Sequence, residues 1–165
     1  MNPIKRTPEP LKRGELIRFI KTREVTTPQY GTPGSAGIDF FVPMDQESIT
    51  LLPSQAALIP SGIRARLPLH TALIAMNKSG IATKKRLQVG ACVVDCDYQG
   101  EIHIHVFNTG TEEVIINPGD KLVQFVLTPI IKAKLIECET EDQVFPSQTE
   151  RGAGGFGSTG TTSAN

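Results

Sequence analysis

The feature that most constrains this chain is an apolar pattern of period two, cut into short pieces by turn residues. Glu101-Ile102-His103-Ile104-His105-Val106-Phe107 alternates cleanly and puts Ile102, Ile104 and Val106 on one face. Ile63-Arg64-Ala65-Arg66-Leu67 alternates too. Thr71 to Met76, Val114 to Ile116, Leu122 to Leu127 and Ile130 to Ile136 are short β-rich runs. Pro60-Ser61-Gly62, Asn108-Thr109-Gly110 and Asn117-Pro118-Gly119-Asp120 punctuate them as turns. Many short strands at such spacing predict an all-β sandwich or barrel. One short helical stretch is expected, over Ile81 to Arg86.

At 165 residues the chain has room for one domain with a modest core. The expected division is a polar basic arm (1–14), a β body (15–136), an acidic linker (137–149) and a flexible Gly-rich tail (150–165). Met1 to Arg23 holds seven Lys/Arg against two Glu, and Glu137 to Glu150 holds five acids and no base. A basic arm could touch nucleic acid; a solvated terminal segment is the plainer reading. The Pro-rich start has no apolar signal-peptide core, and no run is long and apolar enough to span a bilayer, so a soluble, cytoplasmic protein is expected. Cys92, Cys96 and Cys138 form no C-x-x-C pair, which argues against a zinc knuckle and for reduced thiols.

Chemistry concentrates in two segments. The tail, Arg151-Gly152-Ala153-Gly154-Gly155-Phe156-Gly157-Ser158-Thr159-Gly160, contains a G-x-G-x-x-G string. A dinucleotide fold would need that string inside a βαβ unit, and a P-loop would need Lys before Ser158. Glycines still let backbone N–H groups converge on an anion. Arg151 can grip phosphate in two-pronged fashion, Ser158 and Thr159 add hydroxyls, and Phe156 can stack on a base. A nucleotide lid is therefore weighed against a low-complexity tail. The second segment is Gly90-Ala91-Cys92-Val93-Val94-Asp95-Cys96-Asp97-Tyr98-Gln99-Gly100-Glu101. A carboxylate in a partly enclosed site can activate water, and a nearby Tyr can pack against a sugar. A polar hairpin with a packed Tyr is the bland alternative.

Five segments in order resemble the five motifs of the trimeric dUTP pyrophosphatases. They are Ser35-Ala36-Gly37-Ile38-Asp39-Phe40, Asn77-Lys78-Ser79-Gly80, Gly90 to Gly100, Pro118-Gly119-Asp120-Lys121-Leu122-Val123-Gln124-Phe125, and the tail. The resemblance spans roughly residues 15 to 160. It implies a jelly-roll-like β fold, a homotrimer with three active sites shared between subunits, Mg²⁺, and hydrolysis of dUTP to dUMP and pyrophosphate. Such an activity cleanses the nucleotide pool and supplies dUMP for dTMP synthesis. By position, the resemblance makes Asp95 the general base for water attacking the α-phosphorus and sets Tyr98 under the deoxyribose. The backbone from Val89 through Val93 and Val94, and at His103, would read uracil. Lys78, Ser79, Gly80 and Gln124 would bind phosphates, and Asp39 would help hold the metal through water. Arg151, Gly154, Phe156, Gly157, Ser158 and Thr159 would close over the substrate.

Two departures stand out. Lys78 replaces the family's usual Arg, keeping the charge but losing the planar fork. Cys92 stands where Gly is common. Three other readings compete. His103-x-His105 on one strand face, with Glu112 as a third ligand, could hold a metal in a cupin-like site. A non-catalytic nucleotide-binding trimer and the related dCTP deaminases are the others.

Overall fold

The computed structural model describes residues 16–154. These divide into two units, with the break after Ile131. All strands lie in the first unit. They are β1 (Arg18–Lys21), β2 (Gln29–Tyr30), β3 (Gly37–Asp39), β4 (Ile49–Leu51), β5 (Ala56–Arg66), β6 (Thr71–Asn77), β7 (Leu87–Val89), β8 (Val93–Asp95), β9 (Glu101–Asn108), β10 (Val114–Ile116) and β11 (Val123–Pro129). A short helix, α1 (Ser79–Lys84), follows β6.

The strands form a four-stranded sheet in the order β1-β5-β9-β7, a five-stranded sheet β2-β3-β11-β6-β8, and a pair β10-β4. Every pairing is antiparallel. The sheets pack around one apolar core in the expected jelly-roll-like fold. Ile102, Ile104 and Val106 of β9 enter that core beside Ile59, Leu73, Leu87 and Phe125, all of them almost fully buried. Phe40 and Phe125 meet with ring centroids 4.6 Å apart, in a tilted geometry favoured by aromatic pairs.

The alternation along β9 places its strand as expected. Pro60-Ser61-Gly62, however, is not a turn. It lies inside the 11-residue strand β5, where the register to β9 shifts between Pro60 and Arg64. Gly62 adopts φ +71°, a conformation that favours glycine. Its N–H donates to Glu101 Oε1 at 2.6 Å, and its carbonyl accepts Thr22 N–H at 2.8 Å. This is a β-bulge, a device that bends a strand without ending it.

Helix α1 starts two residues before the expected stretch. Ala82 N–H bonds to the Lys78 carbonyl, and Arg86, at φ +55°, lies beyond the helix rather than in it. In the segment Ile130 to Ile136, β11 ends at Pro129 and no strand follows. In the second unit, the acidic segment read as linker contains one short helix, α2 (Glu141–Val144), which adds a second helix to the one expected. None of the described helices is long and apolar enough to cross a membrane. The basic arm, 1–14, lies outside the described residues.

Candidate active site

The segment Gly90–Glu101 that the sequence singled out is not a β-hairpin: it runs from the end of β7, paired with β9, through β8, paired with β6 in the other sheet, to the start of β9. Just after β7 the chain passes under His105 of β9. Gly90 N–H donates to the His105 carbonyl at 2.9 Å, and Ala91 N–H donates to His105 Nδ1 at 2.7 Å. His105 in turn stacks on Phe107, with centroids 4.7 Å apart. A Cβ on Gly90 would lie 2.5 Å from His105 Cε1 and from Phe107 Cε2, so only glycine lets the strand approach these rings. Two residues further on, Ala75 N–H of β6 donates to the Cys92 carbonyl at 2.7 Å.

Asp95 ends β8 opposite Ala72 and is exposed. Its carbonyl accepts Tyr98 N–H at 3.2 Å, closing the turn that carries the tyrosine. Tyr98 OH donates to the Glu101 carbonyl at 3.1 Å, and Arg64 Nε donates to the Gln99 carbonyl at 2.7 Å. The bulged strand β5 thus tethers the turn at two points, through Arg64 and through Glu101. Val93, Val94, Asp95, Tyr98 and His103 line one cavity of about 190 Å³, together with Cys92.

The other candidates gather elsewhere on the same unit. Gln124 of β11 is in register with Asp39 of β3 and with Met76 of β6. Its Nε2 donates to the Asn77 carbonyl at 3.0 Å. Lys78 Nζ donates to Asp39 Oδ1, and Lys121 Nζ donates to Oδ2 at 3.1 Å. The Asp39 side chain is 5% exposed. Burial alone would raise its pKa; the hydrogen bonds and charges of Lys78 and Lys121 outweigh this and hold the carboxyl below its ordinary value. Ser79 and Gly80 open α1, whose N-cap residue Lys78 makes no side-chain hydrogen bond to the helix.

The structure therefore brings residues of the Gly90–Glu101 segment together in one cavity, whose lining does not include Lys78, Ser79, Gly80 or Gln124. Val89 also lies off the cavity lining, and its N–H is engaged by Asn77 Oδ1 at 2.8 Å. Arg151 and Gly154 sit in the second unit, where Arg151 Nε donates to the Gly154 carbonyl at 3.0 Å. Phe156, Gly157, Ser158 and Thr159 lie outside the described residues. Asn77, Lys121 and Arg64 were not foreseen, and His105 was weighed only as a metal ligand. Asn77 and Lys121 fall inside quoted motifs, whereas nothing local marks Arg64 or tells that His105 would brace a backbone amide. The His103-x-His105 metal site is not built: His103 Nδ1 lies 2.9 Å from the Glu101 carbonyl, His105 Nδ1 accepts Ala91 N–H, and no three metal-ligating acids, cysteines or histidines cluster among the described residues.

The dUTPase family profile matches residues 23–160. The chain belongs to the dUTPase family. It is 38% identical over 146 residues to the deoxyuridine 5'-triphosphate nucleotidohydrolase of Desulfitobacterium hafniense, covering 86% of this chain and 92% of that one. The Burkholderia mallei enzyme of the same name is 41% identical over 137 residues, covering 81% of this chain and 88% of its own. Among solved structures, the dUTPase of Staphylococcus bacteriophage 80alpha, a mutant bound to dUpNHpp, superposes with a TM-score of 0.75 at 22% identity, over 88% of this chain and 99% of that one. A mutant dUTPase from phage phi11 of S. aureus, whose structure details a structural Mg(II) ion, gives 0.67 at 22% identity over 76% and 97%. The dUTPase described here is accordingly a dUTP diphosphatase, a nucleotide hydrolase that acts on dUTP.

Proposed function

We propose that the reaction is water attack on the α-phosphorus of dUTP, with Asp95 as general base, giving dUMP and pyrophosphate. The observation that carries this reading is the cavity that Asp95 shares with Tyr98, His103 and the Val93-Val94 backbone. An exposed carboxylate at the rim of a pocket can take a proton from a water placed there. The backbone of Val93, Val94 and His103 forms a donor and acceptor edge for uracil. Against cytosine the same edge leaves groups unpaired, at about 1–3 kcal/mol for each that is buried. Tyr98, pinned by its bond to the Glu101 carbonyl, packs under deoxyribose and leaves no room for a 2′-hydroxyl.

Lys78, Ser79, Gly80 and Gln124 hold the phosphates, Lys78 as a point charge and Ser79 and Gly80 through their amides. Arg151, Gly154, Phe156, Gly157, Ser158 and Thr159 form a lid over the bound nucleotide. Both Asp39 oxygens accept ammonium groups, and no protein cage of three metal ligands exists among the described residues. A Mg²⁺ would arrive with the triphosphate, as is usual in phosphate chemistry, and Asp39 would contribute to its hold indirectly through water. When bound, the ion neutralises phosphate charge and assists the displacement.

One chain's cavity leaves out its own phosphate-binding candidates, which favours a homotrimer whose sites draw the Gly90–Glu101 segment from one subunit, the phosphate residues from a second and the lid from a third. Purified protein with Mg²⁺ should release pyrophosphate from dUTP and neither pyrophosphate nor ammonia from dCTP. A mixed sample of Asp95→Asn chains and chains ending at Thr149, each impaired alone, should show more activity on co-assembly than the sum of the two separate samples. No recovery would contradict the shared site, and an absence of dUTP turnover would overturn the whole reading.

A further inference from the structure

Glu101 lines the cavity with Asp95, Tyr98 and His103, and it is engaged through both main chain and side chain. Its backbone carbonyl accepts the Tyr98 OH at 3.1 Å, and its Oε1 accepts the Gly62 N–H at 2.6 Å. Glu101 opens β9 opposite Arg64 of β5, and Pro60 lies opposite His103, so Ser61, Gly62 and Ile63 all face Ile102. A bulge of this kind leaves backbone groups out of the ladder. The Glu101 carboxylate takes one of them, the N–H of buried Gly62, in a charge-assisted bond. One residue thus joins the bulge to the tyrosine.

Tyr98 is 45% exposed, so packing alone does not fix its ring. The ring lies against Gly100, where a Cβ would come within 2.5 Å of Cζ, and the bond to the Glu101 carbonyl holds its far end. Rejecting the extra 2′-hydroxyl of a ribonucleotide depends on a wall that does not yield, because a close fit and not a lost bond makes the distinction. We propose that Glu101 is a positioning residue that holds Tyr98 in place as the sugar-discriminating wall of the cavity. This rests on the reading above, in which Tyr98 packs under deoxyribose. Glu101 and Tyr98 belong to one chain and line one cavity, so the device is complete within a subunit, whichever subunit holds the phosphates. Without the carboxylate, the buried Gly62 N–H is left unpaired, the bulge relaxes, and the carbonyl that carries Tyr98 moves with it.

The test compares the parent enzyme with Glu101→Ala, Glu101→Gln, Tyr98→Phe and the double variant Glu101→Ala/Tyr98→Phe, in steady-state kinetics with dUTP, UTP and dCTP. Each ratio of kcat/KM values is taken within one preparation, so the folded fraction cancels. Glu101→Ala should lower the dUTP-to-UTP ratio about tenfold, the effect of one lost hydrogen bond. It should change the dUTP-to-dCTP ratio by less than about threefold, because Val93 and Val94 stand on β8, which pairs with β6 in the other sheet. Glu101→Gln keeps an oxygen for the Gly62 N–H and should hold the dUTP-to-UTP ratio within about threefold of the parent value. Tyr98→Phe keeps the ring but loses its tether, and should lower that ratio about as far as Glu101→Ala does. The double variant should fall no further than the worse single one, since both break the same chain of bonds. An unchanged sugar ratio in Glu101→Ala, a Glu101→Gln ratio as poor as that of Glu101→Ala, an equal fall in both ratios, or losses that multiply in the double variant would each overturn the proposal. If Glu101→Ala does not fold, as judged by circular dichroism, Glu101→Asp, one methylene shorter and out of reach of Gly62, takes its place with the same expectations. A parent enzyme that does not prefer dUTP to UTP would remove Tyr98 as the sugar-reading wall, and the proposal with it, whatever the variants do.

Discussion

His105 Nδ1 accepts the backbone N–H of Ala91 at 2.7 Å, so one imidazole nitrogen fixes the turn that leads from β7 to β8. An accepting Nδ1 carries no proton, which leaves the neutral ring protonated at Nε2. His105→Leu retains the bulk on Phe107 and removes the acceptor. KM for dUTP should rise about fivefold, corresponding to roughly 1 kcal/mol for one hydrogen bond, with kcat little changed. Steady-state kinetics beside a thermal melt will separate this from general destabilisation.

Asp95→Asn should bind dUTP with near-parental affinity and turn it over at least about a hundredfold more slowly, the usual loss for a general base. Isothermal titration with a non-hydrolysable dUTP analogue measures the first, and pyrophosphate release the second. Turnover near the parental rate would take Asp95 out of the mechanism.

Asp39 links stability to pH. Its folded pKa lies below the ordinary 3.8, so the unfolded chain binds the proton more readily. The contribution of this group is complete above the ordinary carboxylate range and is lost as pH falls through the depressed folded value. Asp39→Asn should destabilise the fold at neutral pH by about 1–3 kcal/mol through weakened bonds to two ammonium groups. The variant should also show a shallower loss of stability below about pH 4 than the parent does. Urea unfolding across an acid pH series reports both. Parallel curves for parent and variant would mean that Asp39 does not supply the linkage.

Removing residues 150–165 should cut kcat/KM for dUTP by at least about tenfold while leaving the melting temperature within a few degrees, because the β core ends before that segment. A truncated enzyme with full activity would return the tail to a low-complexity role.

The β architecture was legible because alternation survives wherever a strand has one buried face, as in β9. It failed at β5, where Pro60 and Gly62 signal a turn by composition but serve a bulge. A bulge and a turn use the same residues, and only the partner strand tells them apart. Ile130 to Ile136 misled in the opposite way, since apolar β-formers need a partner strand before they become one. At the site, Val93, Val94, Asp95 and Tyr98 announce themselves by short-range order, and they do share a cavity. Asn77 and His105 could not be foreseen as struts. Their partners lie 11 to 14 positions away in sequence, at Gln88, Val89 and Ala91, and that meeting depends on how two sheets pack.

The buried carboxylate of Asp39 also bears on the enzyme between turnovers. Two ammonium groups beside one carboxylate leave one positive charge in excess. Without the carboxylate, Lys78 and Lys121 would repel each other and spread apart whenever no phosphate was near. With it, the pair stays gathered, its repulsion cancelled from within, so if Lys78 binds phosphate as proposed, an arriving polyanion meets a surplus cation without first having to assemble one.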